Sequence, residues 1–233
     1  MRAISSMATR HVLAELAAGA EAAGLPAVEI ESVGGVDASA RVAAGEAFDL
    51  VFLASDALGA LADGGHIDAA TITPLLRSQV AVAVASGAPG VPAERVTGAA
   101  FPDAGGVRAA LRAAPRIGYS TGPSGTALVR LVEQWGLASE LADRLVQARP
   151  GVPVARSVAE GEVDLGFQQL SELVGQPGIQ ILGVLPEDCA IDTVFAGAVA
   201  TASGDPRAAA EILVFFRAAP RRAAAAAHSF VAL

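Results

Sequence analysis

The side chains best suited to chemistry in this chain are small hydroxyls set beside glycines, just ahead of helical patterns. Ser120, Thr121, Ser124 and Gly125 lie in the run Arg116-Ile-Gly-Tyr-Ser-Thr-Gly-Pro-Ser-Gly-Thr126, where a short apolar strand leads into an amphipathic segment reaching Trp135. Ser5, Ser6 and Thr9 hold the matching place in Ala3-Ile-Ser-Ser-Met-Ala-Thr9, ahead of the helical pattern Val12, Leu13, Leu16. The first N–H groups of a helix have no partner within it and lie at the positive end of its dipole. Both junctions are therefore suited to holding an anion. The same hydroxyls also suit plain N-capping, worth ~1 kcal/mol, and Gly122 and Gly125 suit a tight turn. Arg10, at the start of the first helix, adds a guanidinium that can grip a carboxylate bidentately or simply stay solvated. Two anion-holding ends far apart in the chain suggest one small charged ligand gripped from two sides.

Other chemistry finds little support. All sixteen basic residues are arginine, which removes the Gly-Lys pair of a phosphate-binding loop and every Schiff-base lysine. The three histidines, His11, His66 and His228, are scattered and not at metal-ligand spacing, so no metal site and no cofactor is expected. Gly-Pro-Ser-Gly at 122–125 is not the nucleophile elbow of hydrolases. The single Cys189 excludes an internal disulfide. Asp37, His11 and Glu172 are the candidate general bases, and each reads as an ordinary helix-end residue. Asp37 and Asp56 read as helix caps, and no catalytic residue is assigned.

The elements that must position these groups alternate. Strands are expected at Arg2–Ser5, Ala27–Ser32, Leu50–Leu53, Gln79–Ala85, Arg116–Tyr119, Leu145–Ala148, Leu165–Gln168, Ile179–Leu185 and Thr193–Thr201. Helical patterns fill Arg10–Ala23, Ala38–Ala44, Asp56–Asp63, Val107–Ala113, Ser124–Trp135, Val154–Ala159, Ser171–Val174 and Pro206–Ala218. Gly24 and Gly136 follow helices as C-terminal caps, and Asp205-Pro206 opens another. The pattern predicts an α/β fold of mostly parallel sheets with helices on both faces. The two halves look alike: Ala44–Leu61 and Ala159–Leu173 each run helix end, Gly-Glu, Asp-Leu, apolar strand, helix. That repetition predicts two lobes, 1–82 plus 193–233 and 83–192, joined by the strands at Gln79–Ala85 and Thr193–Thr201. Arg77, just ahead of the first crossover, reads equally as a ligand residue or as a hinge pin held by an acidic neighbour.

Net charge is -8 with no basic patch, which argues against nucleic acid and anionic membranes. No apolar run approaches the ~20 residues of a membrane span. Met1 and Arg2 lead straight into a strand with no signal-peptide pattern. The expectation is periplasmic if a signal peptide was removed and cytoplasmic if the chain as given is native.

Several strings together resemble the molybdate-type group of type II periplasmic substrate-binding proteins, the solute-binding components of ABC transporters. They are ISSMATRHVLAEL (Ile4 to Leu16), RVAAGEAFDLVFLASDALGALADGGHI (Arg41 to Ile67), RSQVAVAVASGAP (Arg77 to Pro89), GEVDLGFQQLSEL (Gly161 to Leu173) and the terminal SFVA. The resemblance spans essentially the whole chain, and the Gln-Gln string around Gln168 is its sharpest part. It implies two α/β lobes closing about a hinge on a ligand in the cleft between them, and an ABC-transporter permease as docking partner. Its ligand-binding positions fall here on Ser5, Ser6, Gly35, Val36, Ser120, Thr121, Ser124 and Gln169. Thr9, Arg10 and Gly125 join them from the reading above. Gln168 and Gln169 alternate on their strand, so only one faces the ligand, and the resemblance selects Gln169.

Two departures bear on the cargo. The second loop, Ser32-Val-Gly-Gly-Val-Asp37, lacks the serine that molybdate binders carry, and Gln169 stands where they have a tyrosine. With Arg10 nearby, the expected cargo shifts from molybdate toward a carboxylate. The expected function is small-anion binding, of an oxyanion or an organic carboxylate. The alternative is a cofactor-independent isomerase of a small tricarboxylate, resembling aconitate isomerases.

Overall fold

The computed structural model describes residues 1–88, 98–149, 151–218 and 220–233. Pro89, which ends one of the strings above, lies outside them. In chain order the first elements are β1 (Arg2–Ser6), α1 (Arg10–Ala22), β2 (Glu29–Val33), α2 (Gly35–Ala43), β3 (Leu50–Ala54), α3 (Ser55–Asp63) and β4 (Thr73–Ala85). Next come α4 (Ala104–Ala113), β5 (Ile117–Tyr119), α5 (Pro123–Gln134), α6 (Ala138–Leu141), β6 (Leu145–Gln147), α7 (Val154–Ala159), β7 (Leu165–Gln169), α8 (Leu170–Leu173) and β8 (Ile179–Val184). The chain closes with β9 (Asp192–Val199), α9 (Pro206–Arg217), α10 (Pro220–Ala227) and β10 (Val231–Ala232). These elements form two compact units. Unit 1 holds Met1–Ser78 and Thr193–Leu233, and unit 2 holds Gln79–Asp192.

In unit 1, β1 lies between β2 and β3 and is parallel to both, while β9 runs antiparallel to β3. Side chains alternate across these strands and build two cores, one per face. Ala3, Leu50, Phe52 and Ala54 meet Val12, Leu13 and Leu16 of α1 and Ile212, Leu213 and Phe216 of α9. Ile4, Val51 and Leu53 meet Ala38 and Val42 of α2 and Leu58 and Leu61 of α3. At Gly197 in β9 an added Cβ would stand 2.6 Å from a Leu213 methyl and 2.7 Å from the Phe52 ring. The helix-to-sheet packing there has no room for a side chain.

In unit 2, β5 lies between β6 and β7, again parallel, and β4 runs antiparallel to both β7 and β8. Val80, Val82, Ile117 and Phe167 form one face with Val107 and Leu111 of α4 and Leu128 and Val132 of α5. On the other face α7 comes close because Gly118 and Gly166 carry no side chain. A Cβ on Gly166 would stand 2.6 Å from Val158 and 2.9 Å from Val154. The units repeat one plan: three parallel strands, one antiparallel neighbour, helices on both faces.

Gly24 and Gly136 end their helices in the left-handed region, at φ 86° and 69°, and the Asp205 carboxylate caps α9 by accepting from the Ala208 N–H. Other expectations need correction. β4 starts at Thr73 and not at Gln79, because Pro74 near its start disguises a strand that runs on past it. α2 starts at Gly35 and α3 at Ser55, so Asp37 and Asp56 lie inside first turns and not at the N-cap positions, although the Asp56 carboxylate still accepts from the Ala57 N–H at 2.9 Å. There both carboxylates also complement the dipole. α5 starts at Pro123, whose fixed φ suits the first helical position. α6, α10 and β10 were not expected; α10 is mostly alanine and shows no apolar period to read.

Candidate functional site

In each unit the candidate residues gather where parallel strands end and helices begin. In unit 1, β1 ends at Ser6, and a short 3-10 turn, Met7–Thr9, leads into α1. Neither Ser6 nor Thr9 makes a side-chain cap bond, so plain N-capping is not what these hydroxyls do. The Thr9 hydroxyl donates to the Ser6 carbonyl at 3.2 Å and lies 3.5 Å from the Ser6 hydroxyl. Both residues are buried. The start of α2 comes up beside them: a Cβ on Gly35 would be 3.6 Å from the Ser6 Cβ. Val36 follows, 66% exposed.

Ser5 faces elsewhere. Its hydroxyl sits 2.7 Å from that of Ser32 on β2 and 3.2 Å from the Ser6 carbonyl, and none of its surface is exposed. Arg10 turns to its neighbour, its Nε donating to His11 Nε2 at 2.8 Å. His11 stacks on His228, ring centroids 6.1 Å apart. Burial, then Arg10, then His228 lower its pKa, so near neutral pH it is an uncharged imidazole.

The sequence reading missed Ser55. It opens α3 directly after β3, and the β1–β3 register brings that strand end beside Ser6. Its Oγ is buried and has no partner among the described residues. The serine is visible within Phe52–Asp56, but the neighbouring Asp56 is the more familiar cap residue and masks it.

In unit 2 the chain turns from β5 through Ser120 and Thr121 into α5. The Ser120 and Ser124 hydroxyls bond to each other at 2.8 Å. Gly125 makes this closeness possible, since a Cβ there would fall 1.8 Å from the Ser120 carbonyl oxygen. Gln169 closes β7 and is 2% exposed. It pairs with Val80 and so shares the face of Phe167 and α5. Each unit thus assembles its own set: Ser6, Thr9, Gly35, Val36 and Ser55 in unit 1, and Ser120, Thr121, Ser124, Gly125 and Gln169 in unit 2.

An apolar depression of about 580 Å³ beside α9 is lined by Leu25, Val214 and Phe215. It has no hydroxyl, and its charged pair, Arg207 and Glu211, is joined at 3.4 Å. It does not suit an anion.

Residues 1–231 match the family described as bacterial extracellular solute-binding protein. The chain belongs to that family. Its fold is that of the type II members: the periplasmic molybdate-binding protein of Azotobacter vinelandii superposes with a TM-score of 0.76 at 18% identity, covering 99% of this chain and 98% of that one. The sulfate-binding protein SubI of Mycobacterium tuberculosis superposes with a TM-score of 0.74 at 17% identity, covering 99% and 85%. At these identities the likeness concerns fold alone. Among curated proteins, an aconitate isomerase from a Pseudomonas species is 33% identical over 178 residues, 75% of this chain. This solute-binding protein spans 64% of that enzyme's length. No helix among the described residues is long and apolar enough to cross a membrane.

Proposed function

We propose that this solute-binding protein takes up a small organic carboxylate and holds it without covalent chemistry. The observation that carries the reading is the setting of Ser6 in unit 1: a buried serine between the starts of α1 and α2, with the Thr9 hydroxyl 3.5 Å away and Ser55 at the adjoining strand end. Hydroxyls and helix-start amides donate hydrogen bonds, which suits an anion. The Ser120–Ser124 set of unit 2 is of the same kind. The 33%-identical relative is named for a tricarboxylate, which favours a carboxylate over molybdate or sulfate. On this reading the protein delivers its cargo to an ABC-transporter permease and works outside the cytoplasm.

Thermal melts with citrate, tricarballylate, cis- and trans-aconitate, molybdate and sulfate test the proposal. A carboxylate at a hundred times its Kd adds about 2.7 kcal/mol, which raises the Tm by roughly 5–10 °C for a chain of this size. No shift with any of them would sink the reading.

A second reading, isomerisation of aconitate, is favoured by one observation, the likeness to aconitate isomerase over 178 residues. It needs a base within reach of an acidic C–H. The uncharged His11 is the candidate, although its Nε2 already accepts from Arg10. Interconversion of cis- and trans-aconitate, followed by absorbance and abolished in Arg10→Ala and His11→Gln, is the result this reading requires.

A further inference from the structure

α9 buries one face in the unit 1 core, through Ala209, Ile212, Leu213 and Phe216. Its opposite face carries Ala210, Glu211, Val214 and Ala218. Val214, at 71%, is the most exposed large apolar side chain among the described residues. With Leu25 and Phe215 beside it, this face forms the apolar depression that does not suit an anion. An apolar patch rimmed by charge is the mark of a contact surface.

The order of side chains around Val214 indicates the occupant. Glu211 and Arg217 stand three residues before and three after it. They therefore lie about 60° to either side of Val214 and about 4.5 Å along the helix axis in opposite directions. Ala210 and Ala218 stand four residues before and four after, one small side chain at each end. The face reads alike from both ends, except that its flanking charges are opposite. Such a surface is complementary to itself. A two-fold axis in the contact plane through Val214, perpendicular to the line from Glu211 to Arg217, sets Val214 on Val214. It also sets each Glu211 on Arg217 of the other copy. The helices cross steeply there, and the alanines keep the crossing free of bulk.

Glu211 is joined to Arg207 at 3.4 Å, but the Arg207 side chain is 91% exposed and such a pair contributes little. Its order is also the poorer one, with the cation N-terminal to the anion. Glu211 can therefore turn to Arg217 of a second copy. An anionic membrane suits the face less, because Glu211 sits at its rim and the net charge is -8.

We infer that the outer face of α9 is a self-association surface, where a second copy of this chain docks by a two-fold contact centred on Val214 and flanked by two Glu211–Arg217 ion pairs. One helix face with Leu25 and Phe215 at its side is modest against the ~800 Å² per partner of a stable interface. The dimer is accordingly weak and concentration-dependent. It is independent of the carboxylate reading.

Sedimentation velocity from low to high micromolar protein tests the inference. The unaltered protein should pass from monomer to dimer as concentration rises, and less readily at high salt. Glu211→Arg and Arg217→Glu each set like charges against one another, so either variant alone should dimerise at least about tenfold more weakly. Mixed in equal amounts, the two variants should recover the dimer, because every facing pair is then opposite in sign. Val214→Lys should stay monomeric. All three side chains are exposed, so the fold should tolerate each change, and thermal melts check that it does. A monomer at every concentration, a dimer unmoved by any of the three substitutions, or a mixture no tighter than either charge variant alone would each overturn the inference.

Discussion

Replacing Gly125 by alanine is the sharpest test of how the unit 2 strand end is built. The new Cβ would lie 1.8 Å from the Ser120 carbonyl oxygen, where side-chain carbons essentially never approach within 3.0 Å. Strand end and helix start must therefore separate by at least 3.0 − 1.8 = 1.2 Å. The clash is with backbone, so no rotamer change relieves it. Overpacking of this kind costs about 1–3 kcal/mol or more, and alanine's better helix propensity returns at most about 1 kcal/mol. A net loss of about 2 kcal/mol lowers the Tm by roughly 4–8 °C. Gly59 is the control: it lies inside α3 with nothing within 4 Å of an added Cβ, so Gly59→Ala should gain about 0.5–1 kcal/mol. Denaturant titration read by the single tryptophan, Trp135, at the end of α5, reports on the right unit. Citrate titration of the folded variant should show weakened binding as well, because the Ser120–Ser124 bond depends on the same approach. If Gly125→Ala is as stable as Gly59→Ala, the account of this strand end is wrong.

Ser5→Ala should cost about 1 kcal/mol of stability, by stranding the Ser32 hydroxyl bonded to it at 2.7 Å, and leave carboxylate affinity alone. Ser6→Ala should do the reverse, and calorimetry beside thermal melts separates the two. Gly166→Ala should destabilise unit 2 by driving α7 off the sheet, since Val158 lies 2.6 Å from the added carbon; urea unfolding measures it. Burial, with the Asp188 carboxylate beside it, pushes the Cys189 thiol up to about 11. Iodoacetamide should therefore label the native protein far more slowly than the urea-unfolded chain at pH 8. Arg116 holds the Asp164 carboxyl below the usual range through hydrogen bonds at 2.9 and 3.0 Å. That pair contributes stability above the unfolded carboxyl's pKa and loses it as pH falls through the folded value. Asp164→Asn should flatten the acid limb of a stability–pH profile, by a small amount because both groups are partly exposed and solvent screens the pair.

Much of the fold was legible in the sequence for a simple reason. Parallel strands buried on both faces are short continuous apolar runs, such as Leu50–Ala54, and they stand out against alanine-rich amphipathic helices. What stayed hidden lacked apolar contrast: β4 across Pro74, and α10 with its run of alanines. The hydroxyl clusters were legible because helix starts carry a recognisable chemistry. Their division of labour was not. Nothing in Ile4-Ser5-Ser6 says that Ser5 would turn to Ser32 while Ser6 turns to Thr9, because strand alternation decides that only once the register is set. The partnerless oxygens of Ser55 and Gln168 are likewise invisible to pattern, being defined by what the folded neighbours fail to offer.

Unit 2 is a continuous stretch, Gln79–Asp192, whereas unit 1 is completed only by Thr193–Leu233. During synthesis, then, every residue of unit 2 is made before β9 and α9 exist. Until they arrive, β3 has an open edge, and Phe52 lacks both the α9 side chains that cover it and its stacking partner Phe216, 5.5 Å away in the finished fold. A nascent chain therefore carries one finished unit and one unfinished sheet with an exposed apolar face. Such an edge invites pairing with other chains. The vulnerable moment for this protein falls late in translation, and a chaperone that shields Leu50–Ala54 would have most to do just then.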